Sequence, residues 1–180
     1  MHLLEGEIIR LRALEPSDVD ILYRWENDPQ NWFISNTLTP FSKHALARFI
    51  ENSQLDIYQT RQLRLMIIRR DNDQPIGAVD LFDIDPFHRR AGLGILIQDK
   101  QNRNKGYASD TLDVIIHYAF HHLKFHQLYC NIAADNDISI KLFKKKGFRL
   151  VGEKKDWLRK NEGFIGELMF QLLQPDSIRS

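Results

Sequence analysis

Apolar and polar residues alternate in several stretches of the chain, which is the pattern of half-buried β-strands. The first stretch covers residues 7–13, with Ile9, Leu11 and Ala13 on one side. Polar turns at residues 71–74 and 160–163 join neighbouring stretches into hairpins. We therefore predict strands at residues 7–13, 63–70, 75–85, 92–98, 127–133, 148–157 and 164–173.

Apolar residues spaced three and four apart predict the helices. The longest such pattern runs from Gly106 to Leu123. Shorter helices are predicted over residues 15–26, from residue 42 onward, and after Asn136, whose side chain can cap a helix that Gly147 then ends. The residue before a proline disfavours helical backbone, so Pro29 should end the first helix, and residues 31–40 are expected to be irregular. This mixture of elements predicts one α/β (α+β) domain over residues 1–180.

The composition indicates a globular protein and argues against some classes of binding partner. The chain is 43% hydrophobic and 27% charged with a net charge of +1, so no overall field favours nucleic acid or an anionic membrane. No apolar run approaches the ~20 residues of a membrane span, and the N-terminus lacks the pattern of a signal peptide. A lone cysteine, Cys130, excludes an intrachain disulfide, and we expect a cytoplasmic protein. The apolar neighbours of Cys130 indicate a buried strand residue rather than a nucleophile.

The polar residues 98–105 separate a predicted strand from the longest helix. A turn that leads into a helix presents unpaired N–H groups, and the helix dipole favours an anion there, above all a phosphate. Asn104 and Gly106 suit such a turn because both tolerate left-handed backbone, and Lys105 adds a cation. From the spacing alone, an ordinary polar connection explains these residues equally well.

Two motifs in the second half of the chain resemble the signatures of a known family. Arg103-x-x-Gly106-x-Ala108 is similar to the Q/R-x-x-G-x-G/A signature of the GNAT acyltransferases, and residues 136–148 resemble the second signature of that family. The resemblance extends over nearly the whole chain. It implies the GNAT acyl-CoA N-acyltransferase fold, a central, mostly antiparallel mixed sheet flanked by helices, and acetyl-CoA as co-substrate.

The resemblance also implies where the coenzyme lies. The backbone of residues 96–98 should pair with the pantetheine amides, and the turn amides should hold the pyrophosphate. The side chain of Asn136 should bond the pantetheine arm while also capping a helix. Lys145 belongs to a short basic run that is either solvated or attracts the 3′-phosphate. The predicted coenzyme residues are Leu96, Ile97, Gln98, Arg103, Asn104, Lys105, Gly106, Tyr107, Ala108, Asn136, Phe143 and Lys145.

Acetyl transfer to an amine requires that the amine lose a proton, and the leaving thiolate benefits from gaining one. Many relatives carry a Tyr in the second signature that can supply this proton. The matching residue here is Phe143, which has no proton to give. The resemblance implies direct attack in a ternary complex, which agrees with the lack of an obvious Ser-His-Asp or Cys-His arrangement.

Four carboxylates are candidates for binding or deprotonating the amine: Glu26, Asp80, Asp83 and Asp85, of which Glu26, Asp83 and Asp85 are favoured. Asp83 and Asp85 can share a strand face, whereas Asp80 and Asp85 cannot, because their separation is odd. Each of these groups could instead be a solvated or ion-paired carboxylate. His88 could also act as a base, but a histidine in such a loop more often lies on the surface.

The N-terminal third looks most like the branch that contains ribosomal-protein alanine acetyltransferases and spermidine acetyltransferases. By this resemblance Trp25, Trp32 and Phe33 lie near the acceptor, although Trp32 and Phe33 could equally fold into the core. That branch accepts polyamines, amino sugars and protein N-termini. The candidate carboxylates favour a small polyamine or diamine, with a peptide N-terminus or an amino sugar as alternatives.

Two other classes of function compete with this interpretation. A non-catalytic acyl-CoA sensor is supported only by the missing Tyr at position 143, and a nucleotide-phosphate-binding protein lacks the G-x-x-x-x-G-K-S/T pattern. His117 and His121 share a helix face, but Tyr118 stands where a zinc protease motif needs Glu, so no metal is expected. An unpaired edge at the final strand could support a homodimer.

Overall fold

The centre of the protein is a single β-sheet. The structure is a computed structural model that describes residues 3–175. Its strands are β1 (Ile9–Arg12), β2 (Gln62–Arg69), β3 (Pro75–Asp85), β4 (Arg90–Ile97), β5 (Gln127–Ala133), β6 (Arg149–Lys160) and β7 (Gly163–Leu173). They lie in the order β1-β2-β3-β4-β5-β7-β6. Each predicted strand is confirmed, with ends displaced by a few residues.

Strands β4 and β5 border a gap in the sheet. All neighbouring strands are antiparallel except β4 and β5, which run parallel, so the predicted mostly antiparallel mixed sheet is confirmed. The parallel pairing is short and runs only from Arg90 opposite Gln127 to Gly92 opposite Tyr129. Beyond Gly92 the two strands diverge and leave a V-shaped gap.

The edge of the sheet differs from the expectation. The prediction that the final strand offers an unpaired edge is wrong, because β7 lies between β5 and β6 and pairs with both. The chain turns back after β6 so that the last strand inserts beside β5. The exposed edge on this side of the sheet therefore belongs to β6.

Helices cover both faces of the sheet. They are α1 (Val19–Glu26), α2 (Pro29–Ser35), α3 (Lys43–Asn52), α4 (Ile57–Thr60), α5 (Tyr107–His117) and α6 (Asp137–Lys145), and a π-helical turn over Tyr118–His122 extends α5. Alternate residues of β2 face opposite sides: Leu65 and Ile67 join the larger core beside α5, whereas Met66 and Ile68 join a smaller core beneath α1 and α3. None of the helices in residues 3–175 is long and apolar enough to cross a membrane.

Helix α2 corrects the prediction that residues 31–40 are irregular. The side chain of Asp28 accepts a hydrogen bond from the backbone N–H of Gln30 at 3.0 Å and caps the helix, and Pro29 is its first residue. Proline ends a preceding helix, but its fixed φ also suits the first position of the next one. One proline therefore separates α1 from α2 and starts α2.

Helix α6 begins and ends as the sequence predicts. Asn136 caps it by accepting a hydrogen bond from the backbone N–H of Ser139 at 3.2 Å. At the other end Gly147 has a φ of 90°, and the N–H groups of Gly147 and Phe148 donate to the carbonyls of Lys144 and Phe143 at 3.0 and 3.1 Å. This pair of hydrogen bonds is a Schellman motif.

Asp18 is a buried carboxylate that joins β1 to the turn before α1. Arg12 donates two hydrogen bonds to it at 2.7 and 2.8 Å, and the backbone N–H of Glu15 donates a third at 2.8 Å. Burial opposes the negative charge, but these hydrogen bonds outweigh it and lower the pKa of Asp18. Because the folded-state pKa lies below the unfolded one, the stabilisation is present at neutral pH and is lost as the pH falls through the folded pKa.

We expect Asp18→Asn to lower the free energy of unfolding at pH 7 by roughly 1–2 kcal/mol, because the charged acceptor of three hydrogen bonds is removed. The loss of stability on acidification should also be shallower than in the wild type. Urea denaturation from pH 7 to pH 3 measures both effects. Asp73→Asn, which removes an exposed carboxylate paired with Arg10, is the control. Parallel pH profiles for Asp18→Asn and the wild type would contradict the assignment.

Candidate active site

The gap between β4 and β5 is a cleft of about 760 Å³. Residues 93–96 of β4 form one wall, and residues 130–133 of β5 form the opposite wall. Helix α2 and the end of α1 lie across one part of the cleft, and the start of α6 borders another part. A side chain from any of these elements can therefore reach a molecule bound between the two strands.

The cleft wall formed by β4 offers unpaired backbone. Strand β4 pairs with β3 along most of its length, but its other edge has no partner strand beyond Gly92 in the described chain. Backbone groups on such an edge can pair with the amides of an extended ligand. Leu96 and Gln98 line the cleft, whereas the side chain of Ile97 is buried. The predicted pairing of residues 96–98 with pantetheine fits this edge.

The turn after β4 has the backbone shape that the sequence suggests. Asn104 and Gly106 both have left-handed φ values, 60° and 87°, and Gly106 is the N-cap of α5. Residues 104–106 are exposed, so their N–H groups and the helix N-terminus face solvent where an anion can approach. The side chain of Lys105 is also exposed. These features fit the pyrophosphate of a coenzyme.

Arg103, a predicted coenzyme residue, directs its side chain toward the protein. Its guanidinium donates to the carbonyls of Ile97 and Gln98 at 3.1 and 3.3 Å and to Oδ1 of Asn31 at 3.4 Å. Asn31 is only 4% exposed, and its Nδ2 donates to Oε1 of Gln98 at 2.8 Å. These contacts fasten the turn to the end of β4 and to α2. Arg103 therefore shapes the turn through its side chain.

Tyr107 and Ala108, which follow the turn, can offer a bound coenzyme mainly their backbone groups. Tyr107 is buried, and the guanidinium of Arg69 lies over its ring at 5.5 Å from the centroid. Ala108 is half-buried against the core. In the first turn of α5, the carboxylate of Asp110 accepts hydrogen bonds from three successive N–H groups in the segment that enters β1, at 2.8–3.1 Å. These hydrogen bonds attach the start of α5 to the segment that enters β1. They leave the solvent-facing side of the helix start open.

The second signature contributes one polar and one apolar residue to the cleft. Asn136 caps α6 through Oδ1, so its Nδ2 is available to a ligand. The same side chain can therefore cap the helix and bond the pantetheine arm, as predicted for it. Phe143 is buried and contacts the ring of Phe148 edge to face at 5.1 Å between centroids, while also lining the cleft. Lys145 lies elsewhere: it borders a second cavity of about 540 Å³ beside His117. The structure does not bring Lys145 to the cleft.

A charged triad lies where α1 meets the cleft. Arg64 of β2 donates through Nη1 to Oε1 of Glu26 at 2.5 Å and through Nε to Oδ1 of Asp80 at 2.8 Å. The three side chains are only 15–20% exposed. Gln62 adds a longer hydrogen bond to the same oxygen of Asp80 at 3.3 Å. In residues 3–175, Oε2 of Glu26 and Oδ2 of Asp80 have no protein partner.

The triad has an excess of negative charge. Burial disfavours the cation of Arg64, but the carboxylates of Asp80 and Glu26 more than offset this, and the pKa of Arg64 lies above its usual value. A permanently charged guanidinium neutralises one of the two carboxylates. The remaining charge and the two unpartnered oxygens suit a further cation, such as an ammonium group.

Asp83 and Asp85, the other predicted carboxylates, lie outside the cleft lining. The pairing of β3 with β4 shifts between Phe82 and Asp85, and Asp83 takes a left-handed φ of 47°. This bulge breaks the alternation on which their shared face depended. Asp83 accepts a hydrogen bond from the hydroxyl of Tyr129 at 3.3 Å. The backbone N–H of His88, at 2.9 Å, lowers the pKa of Asp85.

The three predicted aromatic residues have different positions. Trp25 and Phe33 line the cleft. Trp32 does not: its Nε1 donates to the carbonyl of Glu26 at 2.9 Å and so fixes α2 against the end of α1. Trp32 thereby helps to position the triad without facing the cleft.

Sequence reasoning missed Arg64 and Asn31. Arg64 had one visible signal, since it is a charged residue inside the otherwise apolar stretch 63–68. A buried arginine in such a strand requires anionic partners. Asn31 has no comparable signal, because the sequence predicts an irregular segment over residues 31–40.

Cys130 lines the cleft but is 2% exposed. Burial raises the pKa of its thiol to about 12, so the nucleophilic thiolate is almost absent at neutral pH. This agrees with the prediction of a buried strand residue.

Histidines are the other group that the sequence singled out. His117 and His121 stack with ring centroids 4.1 Å apart on the face of the helix beside the second cavity. Within the described part of the chain, no three His, Cys, Asp or Glu side chains are arranged to hold a metal ion.

Comparison with known proteins gives one consistent family. The acetyltransferase (GNAT) domain family matches residues 9–149. The uncharacterised N-acetyltransferase p20 of Bacillus licheniformis is 29% identical over 175 residues, which cover 97% of each chain. The spermidine N(1)-acetyltransferase of Escherichia coli K12 is 25% identical over 146 residues, which cover 81% of this chain and 75% of that protein.

Solved structures show the same fold. The crystal structure of spermidine N-acetyltransferase from Vibrio cholerae in complex with CoA and spermine superimposes with a TM-score of 0.80 at 24% identity, and the match covers 92% of this chain and 95% of that one. The family match covers both signature motifs, up to residue 148. The chain therefore belongs to the GNAT family of acetyltransferases.

Proposed function

We propose that this acetyltransferase transfers the acetyl group of acetyl-CoA to a primary amine of a small polyamine or diamine. The observation that carries the proposal is the triad of Glu26, Arg64 and Asp80, in which two carboxylates surround one guanidinium in the lining of the cleft. An amine acceptor is a cation at neutral pH, since an alkyl ammonium has a pKa near about 10.4. The triad can therefore draw the acceptor to the cleft and orient it.

The wider charge of the cleft supports the same class of acceptor. Its carboxylates outnumber its cationic groups: the former are Glu26, Asp80, Asp135 and Glu167, and the latter are Arg64 and Lys160. Clefts lined by one sign of charge concentrate ligands of the opposite sign. Relatives named spermidine acetyltransferases agree with this preference.

Direct attack by the amine is the mechanism we favour. A covalent acyl-enzyme needs an activated nucleophile, and the cleft thiol of Cys130, with a pKa of about 12, is protonated. The unpartnered oxygens of Glu26 and Asp80 can hold the ammonium and accept one proton from it, and the neutral amine that results attacks the thioester carbonyl. Backbone N–H groups on the free edge of β4 can stabilise the carbonyl oxygen. Phe143 supplies no proton, so the thiolate takes one from water.

The test is a thiol-release assay with acetyl-CoA and a panel of acceptors. The panel contains putrescine, spermidine, spermine, amino sugars, and peptides with Ala or Ser at the N-terminus. We expect release with the polyamines and diamines. Release with only peptides or amino sugars would move the acceptor to that class. Acetyl-CoA binding with no release for any amine would instead favour the sensor.

Asp80→Asn should raise the KM for spermidine roughly tenfold while leaving the affinity for acetyl-CoA unchanged, because one charge-assisted contact to the ammonium is weakened. Steady-state kinetics at saturating acetyl-CoA measures the KM, and calorimetry measures coenzyme affinity. Asp83→Asn is the matched control: it removes the same charge from the same strand, outside the cleft lining. If Asp83→Asn has the larger effect on KM, the triad is not the acceptor site.

A further inference from the structure

Lys160 lies across the cleft from one wall to the other. It is the last residue of β6, next to the turn that leads into β7. Its Nζ is 5.1 Å from the ring centroid of Phe33 on α2 and forms an ion pair with Asp135, which follows β5. All three side chains line the cleft that holds the triad. The ammonium of Lys160 therefore bridges the acceptor wall and the wall formed by β5 and α6.

The surroundings of this ammonium are those that bind alkylammonium groups in general. An aromatic face attracts a cation through its quadrupole, and a carboxylate supplies the opposite charge. The end of a lysine side chain is chemically a primary alkylammonium. The structure thus shows such a group held between Phe33 and Asp135 inside the substrate cleft.

The contact can exchange with a ligand. The side chains of Lys160 and Asp135 are 38% and 43% exposed, and exposed ion pairs of this kind stabilise a fold little. Lys160 also stands beside the hairpin turn rather than in the core, so its flexible side chain can swing away without disturbing a buried residue.

We propose that Phe33 and Asp135 form a cation subsite for the second, non-reacting ammonium of the acceptor, and that Lys160 occupies this subsite until the acceptor displaces it. The inference rests on the proposed function and extends it, because it requires an acceptor with two cationic groups. The triad of Glu26, Arg64 and Asp80 holds the reacting amine, and the subsite holds the distal one. Lys160 is then an internal competitor that weakens the binding of every diamine.

The experiment compares the wild type with Lys160→Met, which keeps the length of the side chain and removes its charge. Putrescine and butylamine are the two acceptors, since they have the same carbon chain and differ in the second amine. We expect the KM of Lys160→Met for putrescine to fall roughly two- to fivefold and the KM for butylamine to stay unchanged. Lys155→Met is the control, because it removes the same charge from an exposed position of the same strand.

A second variant tests the subsite by removing the charge of its carboxylate. Asp135→Asn should raise the KM for putrescine and leave that for butylamine unchanged. An unchanged or increased KM of Lys160→Met for putrescine, in an enzyme that acetylates putrescine, would overturn the subsite and leave the proposed function standing.

Calorimetric titration of putrescine into CoA-saturated protein separates the remaining outcomes. If the wild type acetylates no polyamine but Lys160→Met binds putrescine more tightly than the wild type, the proposed acceptor is wrong and the subsite is supported. If neither protein binds putrescine, both proposals fail.

Discussion

Gly106→Val should weaken the binding of acetyl-CoA roughly 10- to 100-fold, which corresponds to the loss of about one charge-assisted hydrogen bond. Gly106 has a φ of 87°, and a β-branched residue rarely adopts this conformation. Valine would either twist the turn or place two methyl groups where the phosphate approaches. Either change removes N–H groups at the start of α5 from the coenzyme. Calorimetric titration with acetyl-CoA measures the effect.

Gly147→Val is the matched control for backbone strain. Gly147 has a φ of 90°, and a Cβ there would meet Cδ1 of Leu172 at 3.4 Å, much as a Cβ on Gly106 would meet Cδ1 of Ile8 at 3.6 Å. Both substitutions should therefore lower the melting temperature to a similar extent. Only Gly106→Val should reduce coenzyme affinity. Equal coenzyme affinity in the two variants would remove the phosphate site from this turn.

The turn could be predicted from sequence because its requirements are local. Asn and Gly at positions 104 and 106 are the residues that left-handed backbone selects, and both adopt it. The cap of α6 and the glycine at its end are similarly local. The side-chain direction of Arg103 is not, because it depends on Asn31, which is 72 residues away in the chain.

The positions of Asp83 and Asp85 show where a prediction from strand alternation fails. Asp83 and Asp85 were grouped by a period of two, but the bulge after Phe82 interrupts that period. The partners of Arg64 are 38 and 16 residues away, so no spacing rule joins them. Glu26 is predicted for the acceptor site and lines the cleft, whereas its link to Asp80 through Arg64 appears only when α1 packs against β2.

The predictions for helix α2 and for the edge of the sheet are wrong for local and topological reasons respectively. Insertion of β7 between β5 and β6 depends on tertiary pairing and leaves no mark in the hairpin sequence. Asp28 and Pro29, in contrast, do carry the signal of a helix start. The same two residues were assigned only to the end of α1, so the short helix behind them was missed.

Arg64→Met should be the most destabilising substitution in the charged triad of Glu26, Arg64 and Asp80. Removing one partner of a buried ion pair leaves an uncompensated charge and costs about 3–5 kcal/mol when burial is complete. The triad is 15–20% exposed, so we expect a smaller loss than for complete burial, about 2–3 kcal/mol. Methionine keeps an unbranched apolar side chain near Phe49, over whose ring the guanidinium lies at 5.2 Å. The loss therefore reports mainly on charge.

The pH dependence of this loss identifies its cause. Without Arg64, the carboxylates of Glu26 and Asp80 repel each other in the folded protein, so folding favours the uptake of a proton. A folded state that binds more protons than the unfolded state loses stability as the pH rises. Arg64→Met should accordingly be less destabilised at pH 5 than at pH 8, as measured by urea denaturation.

The double variant Arg64→Met/Asp80→Asn completes the argument. Removing one of the two like charges should recover part of the lost stability and flatten its pH dependence between pH 5 and pH 8, because the repulsion disappears. A double variant that is no more stable than Arg64→Met, or a pH-independent loss in the single variant, would assign the effect to packing. In the expected case, Arg64 offsets the repulsion between two carboxylates that line the cleft, and the amine binding proposed for the cleft depends on that pair.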